Sequence, residues 1–290
     1  MKNFVQIALI AMLLTGCATS RIEGWKRLIG GKAASKKELR AELRKAKKSW
    51  RTRQNKADLE KSLKSFEIVA NSSDQPYEAM AYLSRGYYLL ADGHTDEMEE
   101  KKRLWEVGVA WGEKAMATNP EFKKRVIDNG EKIEDVLKYL TKKEIESIYW
   151  TASNLGKWGK NSGIATVLKY KTRIKNMINR VGELDKNFFH GAFNRYWGAY
   201  YAVAPSFAGG DMDKSIENFR KSIKIEPNYL GNYVLVASYW AVKKGDKKLF
   251  KEELNKVLKM NPLKLKVVGP ENILEQRKAK KLLENMEELF

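Results

Sequence analysis

The chain has 290 residues, and 55 lysines and arginines against 36 acidic residues give it a formal net charge of +19. Its 43% hydrophobic content and eight tryptophans supply a packed core rather than a disordered stalk. One cysteine and two histidines leave no disulfide framework and no metal-ligand spacing, and no Gly-x-Ser-x-Gly, His-Glu-x-x-His or phosphate-cradling glycine loop occurs, so neither an enzyme nor a bound cofactor is expected.

The first residues have the order of an export signal. Lys2 is the positive start, Phe4 to Leu14 is apolar with only Gln6 interrupting, and Leu14-Thr15-Gly16-Cys17 follows. Such a run has the length of a signal-peptide core and falls short of the ~20 residues that span a bilayer. The Leu-Thr-Gly-Cys ending resembles the lipobox of bacterial lipoproteins. That resemblance implies that residues 1–16 are removed and that Cys17 carries diacylglyceryl and acyl (palmitate-type) chains. Two or more chains anchor stably, at ~0.8 kcal/mol per buried methylene. Ala18, where an Asp would favour retention at the inner membrane, tilts the expectation towards the outer one. Losing Lys2 with the signal lowers the charge by one, to +18. An exported chain meets no nucleic acid, so that charge faces anionic head groups, acidic glycans or an acidic protein, or is simply a solvated surface.

Residues 17–34, with Gly24, Gly30 and Gly31, show no periodicity and read as a tether. Residues 35–290 read as one domain in which helical patterns follow one another with no run of alternating strands. Lys36–Arg53 and Lys56–Ala70 form a basic opening pair, either a solvated face or one set against head groups. Tyr77–Ala91 and Glu99–Thr118 pair across Asp92-Gly93-His94. Phe189–Val203 pairs with Asp211–Ile225, where Asp211 is the expected N-cap and Ser215, Phe219 and Ser222 take packing positions. Tyr229–Lys243 pairs with Asp246–Lys259. Pro120, Pro227 and Pro262 close similar junctions, with Lys186 in the same place at a fourth, and these stand 66, 41 and 35 residues apart along the chain. A helix–turn–helix repeat of ~34 residues accounts for such steps as two repeats, one with an insertion, and one. The expected fold is all-α, a TPR-like solenoid of degenerate helical hairpins.

Two aromatic segments stand out, Ile148–Trp158 and Phe188–Gly210. In the second, Phe189, Phe193, Trp197 and Tyr201 recur every four residues on one helical face, with Tyr196 and Tyr200 widening the stripe. Gly191, Ala192, Gly198 and Ala199 leave room for a neighbouring helix, and Gly209-Gly210 permits the turn before Asp211. The aromatics either fill a tight core or line an apolar pocket. Trp150, Asn154, Trp158, Phe193, Tyr196, Trp197, Tyr200 and Tyr201 are the candidate ligand or partner residues. His94 and His190 are expected at the surface or in loops.

In these same segments the chain resembles the T-component family of TRAP (tripartite ATP-independent periplasmic) transporters. Tyr149-Trp150, Asn154 to Trp158, Gly163 to Lys169, Gly198 to Asp211, Pro227 to Gly231 and Glu271 to Ala279 carry the likeness, over residues 75–285. The resemblance implies a lipid-anchored, periplasm-facing protein of helical hairpins. It would associate with the periplasmic solute-binding protein of a TRAP system, assist uptake of a small, hydrophobic organic ligand and form a homo-oligomer. It carries no catalytic or metal residues. The alternative is a TPR-like scaffold in envelope assembly.

Overall fold

Ser35 opens the first long helix with a reciprocal cap: its hydroxyl accepts from the Glu38 amide while the Glu38 carboxylate accepts from the Ser35 amide. From there the computed structural model describes an all-α protein, over residues 19–27, 34–74 and 76–290, with no strand among them. Helix α1 (Lys36–Trp50) packs on α2 (Lys56–Ser72), which leans on α3 (Tyr77–His94). α3 pairs with α4 (Met98–Met116). These are the expected opening pairs, with ends shifted by a few residues.

The next stretch departs from the repeat spacing. Asn119 caps α5 (Pro120–Lys123), with proline at the first helical position. A π turn, α6 (Ile133–Val136) and two 3-10 turns then carry the chain to residue 144. Their apolar side chains Phe122, Val126, Ile133, Val136, Leu137 and Leu140 are all buried. This stretch therefore plugs the core instead of forming a hairpin, and only one full hairpin lies between Pro120 and Lys186: α7 (Ile145–Lys160) with α8 (Ile164–Leu184).

α9 (Phe188–Val203) and α10 (Met212–Ile225) form the tightest later pair. Asp211 caps α10 by accepting from the amides of Asp213 and Lys214, and Ser215 donates to the Gly198 carbonyl across the interface at 2.7 Å. Next come α11 (Gly231–Leu235), a π turn, α12 (Val242–Lys244), α13 (Lys247–Lys259) capped by Asp246, and α14 (Gly269–Glu284). Apolar side chains gather in two cores, a large one from Ala46 to Ala192 and a smaller one from Leu230 to Met286.

α14 reaches back across the molecule. Glu271 pairs with Arg53 and, at 2.6 Å, with Arg85 of α3, all three side chains buried or nearly so. Asp92 pairs with Lys157 of α7 at 2.6 Å and with Lys278 of α14 at 2.7 Å. Burial pushes both carboxyls up, but the surrounding cations hold each well below the usual carboxylate range. Asn272 accepts from the Leu230 amide and donates to the carbonyls of Asn228 and Pro262, stitching two proline junctions together. A stack in which each repeat touches only its neighbours has no counterpart to these contacts.

The expected tether is docked over residues 19–27. Arg21 and Glu113 of α4 form a buried ion pair at 2.6 Å. The Gly24 amide donates to the same carboxylate at 2.7 Å, and a Cβ on Gly24 would overlap the Ala110 carbonyl. Trp25 sets its ring edge against Phe122. Cys17, Gly30 and Gly31 lie outside the described residues.

Candidate functional site

At the start of α9 the backbone turns left-handed for three residues: Phe189 (φ 41°), His190 (φ 60°) and Gly191 (φ 81°). Glycine takes this conformation freely, and Gly191 is also the position where a Cβ would stand 2.9 Å from the Ser222 Cα. For the other two residues the turn costs roughly 1–3 kcal/mol each and persists only where its surroundings impose it. Arg195 does so. Its guanidinium donates to the Phe189 and His190 carbonyls, each at 3.0 Å, to the Tyr149 hydroxyl and to Asn232 Oδ1, both at 3.1 Å. Asn232 in turn donates to the Ser222 carbonyl of α10. Among the described residues Arg195 makes no ion pair, so its charge is met by neutral oxygens and by the Tyr229 ring, 4.6 Å from the guanidinium carbon.

The turn drives Phe189 into the junction between the two cores. Its ring touches Tyr149, Trp150 and Tyr229 at centroid distances of 5.8, 5.0 and 5.7 Å. The Arg85 guanidinium lies 4.8 Å from the Phe189 ring and 5.4 Å from Trp150. His190, which was expected as a surface or loop residue, stacks on Tyr229 at 5.2 Å. Burial lowers its pKa, helped by Arg195 and Arg85, so the imidazole is held neutral. Two guanidiniums share one Glu271 carboxylate here, and the Arg85 Nε is buried without a partner.

Further along α9 a second aromatic group faces α8. Trp197 contacts Phe193, Tyr196, Tyr200 and Tyr201 at centroid distances of 6.4, 5.6, 5.3 and 5.6 Å. All five rings are half-buried. The Lys175 ammonium lies 5.6 Å from Trp197 and 5.7 Å from Tyr200, and Lys171 lies 5.9 Å from Tyr200. The Tyr200 hydroxyl donates to the Ala208 carbonyl at 2.8 Å, fixing the turn that follows.

The residues expected as one site thus divide. Phe193, Tyr196, Trp197, Tyr200 and Tyr201 stay together on α9 along its seam with α8. Trp150 belongs to the inner junction and donates its indole N–H to Glu146. Asn154 is fully buried and donates to the Ser84 and Trp150 carbonyls, locking α7 to α3. Trp158 is buried against Tyr170. Shallow concavities on the outer faces of α10 (around Arg220) and α13 (around Lys256) include none of the eight.

Sequence reasoning gave no role to Arg85, Arg195, Tyr229 or Glu271. The available signal was an arginine set into an otherwise apolar helical face, as in Leu83-Ser84-Arg85-Gly86-Tyr87 and Phe193-Asn194-Arg195-Tyr196-Trp197. Together the two groups present cations beside aromatic faces, a chemistry suited to anionic or apolar groups and to a partner's side chains. Among the described residues no cluster of His, Cys, Asp and Glu could hold a metal ion, and no helix is long and apolar enough to cross a membrane.

The profile of the family described as TRAP transporter T-component matches residues 79–290. No curated protein matches the chain at a significant level. The matched region takes in both aromatic groups, the left-handed turn and α14, and begins after α1 and α2. This family is an accessory part of a transport system of the cell envelope and is not an enzyme family. With well over half of its length matched, the chain belongs to the TRAP transporter T-component family.

Proposed function

We propose that the protein is acylated at Cys17, faces the periplasm from the outer membrane, and serves its TRAP-type transporter by engaging the solute-binding protein through the α8–α9 seam. The observation that carries this reading is the partial exposure of Tyr196, Trp197, Tyr200 and Tyr201 beneath Lys171 and Lys175. Rings that only filled a core would be covered, whereas each of these keeps part of its surface exposed. Aromatic and cationic side chains are what interface hot spots favour. The same surface suits a small apolar organic ligand, or a second copy of the chain in a homo-oligomer.

The test is capture from crosslinked envelopes. The native protein retains an extracytoplasmic solute-binding protein, and Trp197→Ala with Tyr201→Ala loses it while remaining folded. Equal capture by both would sink the α8–α9 seam as the contact surface. Recovery of no solute-binding protein at all would remove the partner. A scaffold role in envelope assembly is favoured by one feature, the basic α1–α2 hairpin outside the matched region. Capture of wall or outer-membrane assembly proteins, lost on deleting that hairpin, would bring that reading forward.

A further inference from the structure

The docked residues 19–27 fix more than a chain direction. Beyond the Arg21–Glu113 pair, the Thr19 amide donates to Thr166 Oγ1 at 3.0 Å, and Lys169 Nζ reaches Ser20 Oγ at 2.5 Å. The docked N-terminal segment therefore lies on the first turns of α8. Cys17 precedes Thr19 by two residues, and two residues of fully extended chain reach at most ~7 Å. An acyl group on Cys17 thus holds this end of the molecule at the bilayer.

That end is unusually apolar for a surface. Ile164 is 71% exposed and Leu168 62%, one turn apart on the same face of α8. One turn further, Lys171 Nζ lies 3.4 Å from the Ala208 carbonyl, which brings the turn after α9 alongside. That turn carries Phe207, 92% exposed, and Val203 is exposed in the last turn of α9. Ile22, 61% exposed, lies in the docked segment itself. Single exposed apolar residues are ordinary on a protein surface, but a group of them at one place marks an interaction. Beside them α8 carries Lys169 and Lys171, with no acidic residue on the helix before Glu183, while Arg173 farther along is paired with Glu134.

We propose that the start of α8, the turn carrying Phe207 and the docked N-terminal segment form the bilayer-contacting face of the protein. Ile22, Ile164, Leu168 and Phe207 sit at the head-group boundary, and Lys169 and Lys171 meet anionic lipid. The inference rests on acylation of Cys17. The covalent reach from Thr19 brings the membrane to this end, and the charge selects the lipid, at ~1 kcal/mol for each basic residue close to an anionic surface. The α8–α9 seam then begins at the membrane surface and runs away from it, so a partner on it is held within reach of the bilayer.

The test uses the acylated full chain bound to vesicles of phosphatidylethanolamine and phosphatidylglycerol. Cys17 is the chain's one cysteine, and acylation consumes its sulfur, so Leu168→Cys or Phe207→Cys offers a unique site for a nitroxide label. Leu258→Cys on α13, outside this face, is the control. On vesicles, collisions with membrane-dissolved oxygen relative to an aqueous nickel reagent rise severalfold at 168 and 207 and stay unchanged at 258. Protein that floats with the vesicles but shows aqueous accessibility at all three positions overturns the face and leaves the anchor standing. Protein that fails to float, with a free Cys17 sulfur by mass spectrometry, overturns the anchor and the face with it. Labels that stay aqueous on vesicles and become immobile only when solute-binding protein is added assign the face to that protein instead.

Discussion

At the start of α9, Phe189 and His190 are wedged among buried guanidiniums, while two turns further on Trp197 and Tyr201 lie half-open beneath lysine ammoniums. Both groups combine aromatic rings with cations on the same helix. At the inner junction every cation is fixed by hydrogen bonds, and Arg85 and Arg53 depend on one carboxylate from a distant helix. Taking such charges out of water costs several kcal/mol per ion, which only tight pairing offsets. Along the α8–α9 seam the lysines and the rings are each only partly covered. The same residue types thus yield a structural joint where water is excluded and a partly exposed aromatic surface where it is not.

The largest effect should come from removing the shared carboxylate. Glu271→Gln leaves Arg53 and Arg85 buried without a countercharge, and breaking a buried pair in this way costs about 3–5 kcal/mol. Urea denaturation measures the loss. A cost under about 1 kcal/mol, the value of an exposed pair, would erase the distinction between joint and seam.

Acid offers a second handle on the joint. The carboxyls of Asp92 and Glu271 titrate below their unfolded values because cations surround them. Groups depressed in this way contribute stability that is fully present above the unfolded carboxyl pKa, about 4, and is lost as pH falls through the folded value. The melting temperature should therefore hold on the neutral side of that value and drop below it. Asp92→Asn, already weaker at neutral pH because Lys157 and Lys278 lose their partner, should show a shallower acid decline. Parallel curves for the two proteins would mean that Asp92 is not depressed.

Gly191→Ala probes the turn that seats Phe189. A Cβ at φ 81° costs roughly 1–2 kcal/mol before any clash with Ser222. Stability should fall by at least that much. Near-UV circular dichroism should also change, because the rings around Phe189 lose their fixed geometry. An unchanged spectrum would place the ring packing outside the turn's control.

The helices and their pairing were legible in the sequence because 3.6-residue periodicity and capping residues are local signals. Asp211 is the clearest case, an expected N-cap that accepts from two backbone amides. Ser215 and Phe219 fell at their packing positions for the same reason. The residues that fix the joint were not legible. Arg53 and Glu271 are separated by 218 positions, and no periodic pattern connects them. The left-handed turn was hidden because Phe189 and His190 carry no preference for it; Arg195 and Asn232 impose it from outside. Residues 19–27 read as a tether because their partners, Glu113 and Thr166, lie far along the chain and supply polar contacts rather than an apolar stripe. The aromatic stripe of α9 was visible as a stripe, but which of its rings are covered depends on where α8 and α14 come to rest.

The smallest change in stability should accompany the clearest test of the α8–α9 seam. Lys175 lies near Trp197 and Tyr200 and is only partly covered. A cation–π contact that remains hydrated is worth about 0.5–1 kcal/mol, so Lys175→Glu should shift the urea midpoint little. Reversing the charge beside open rings should nonetheless weaken partner capture, because interface charges govern encounter and selectivity more than folding. The informative comparison is with Lys251→Glu on α13, an equally large charge change on an exposed residue away from both aromatic groups. If both variants reduce capture alike, total positive charge draws the partner in and the seam has no special part. If only Lys175→Glu does, the partner reads the rings and the ammonium together, which the inner junction, with every cation already engaged, has no free group to offer.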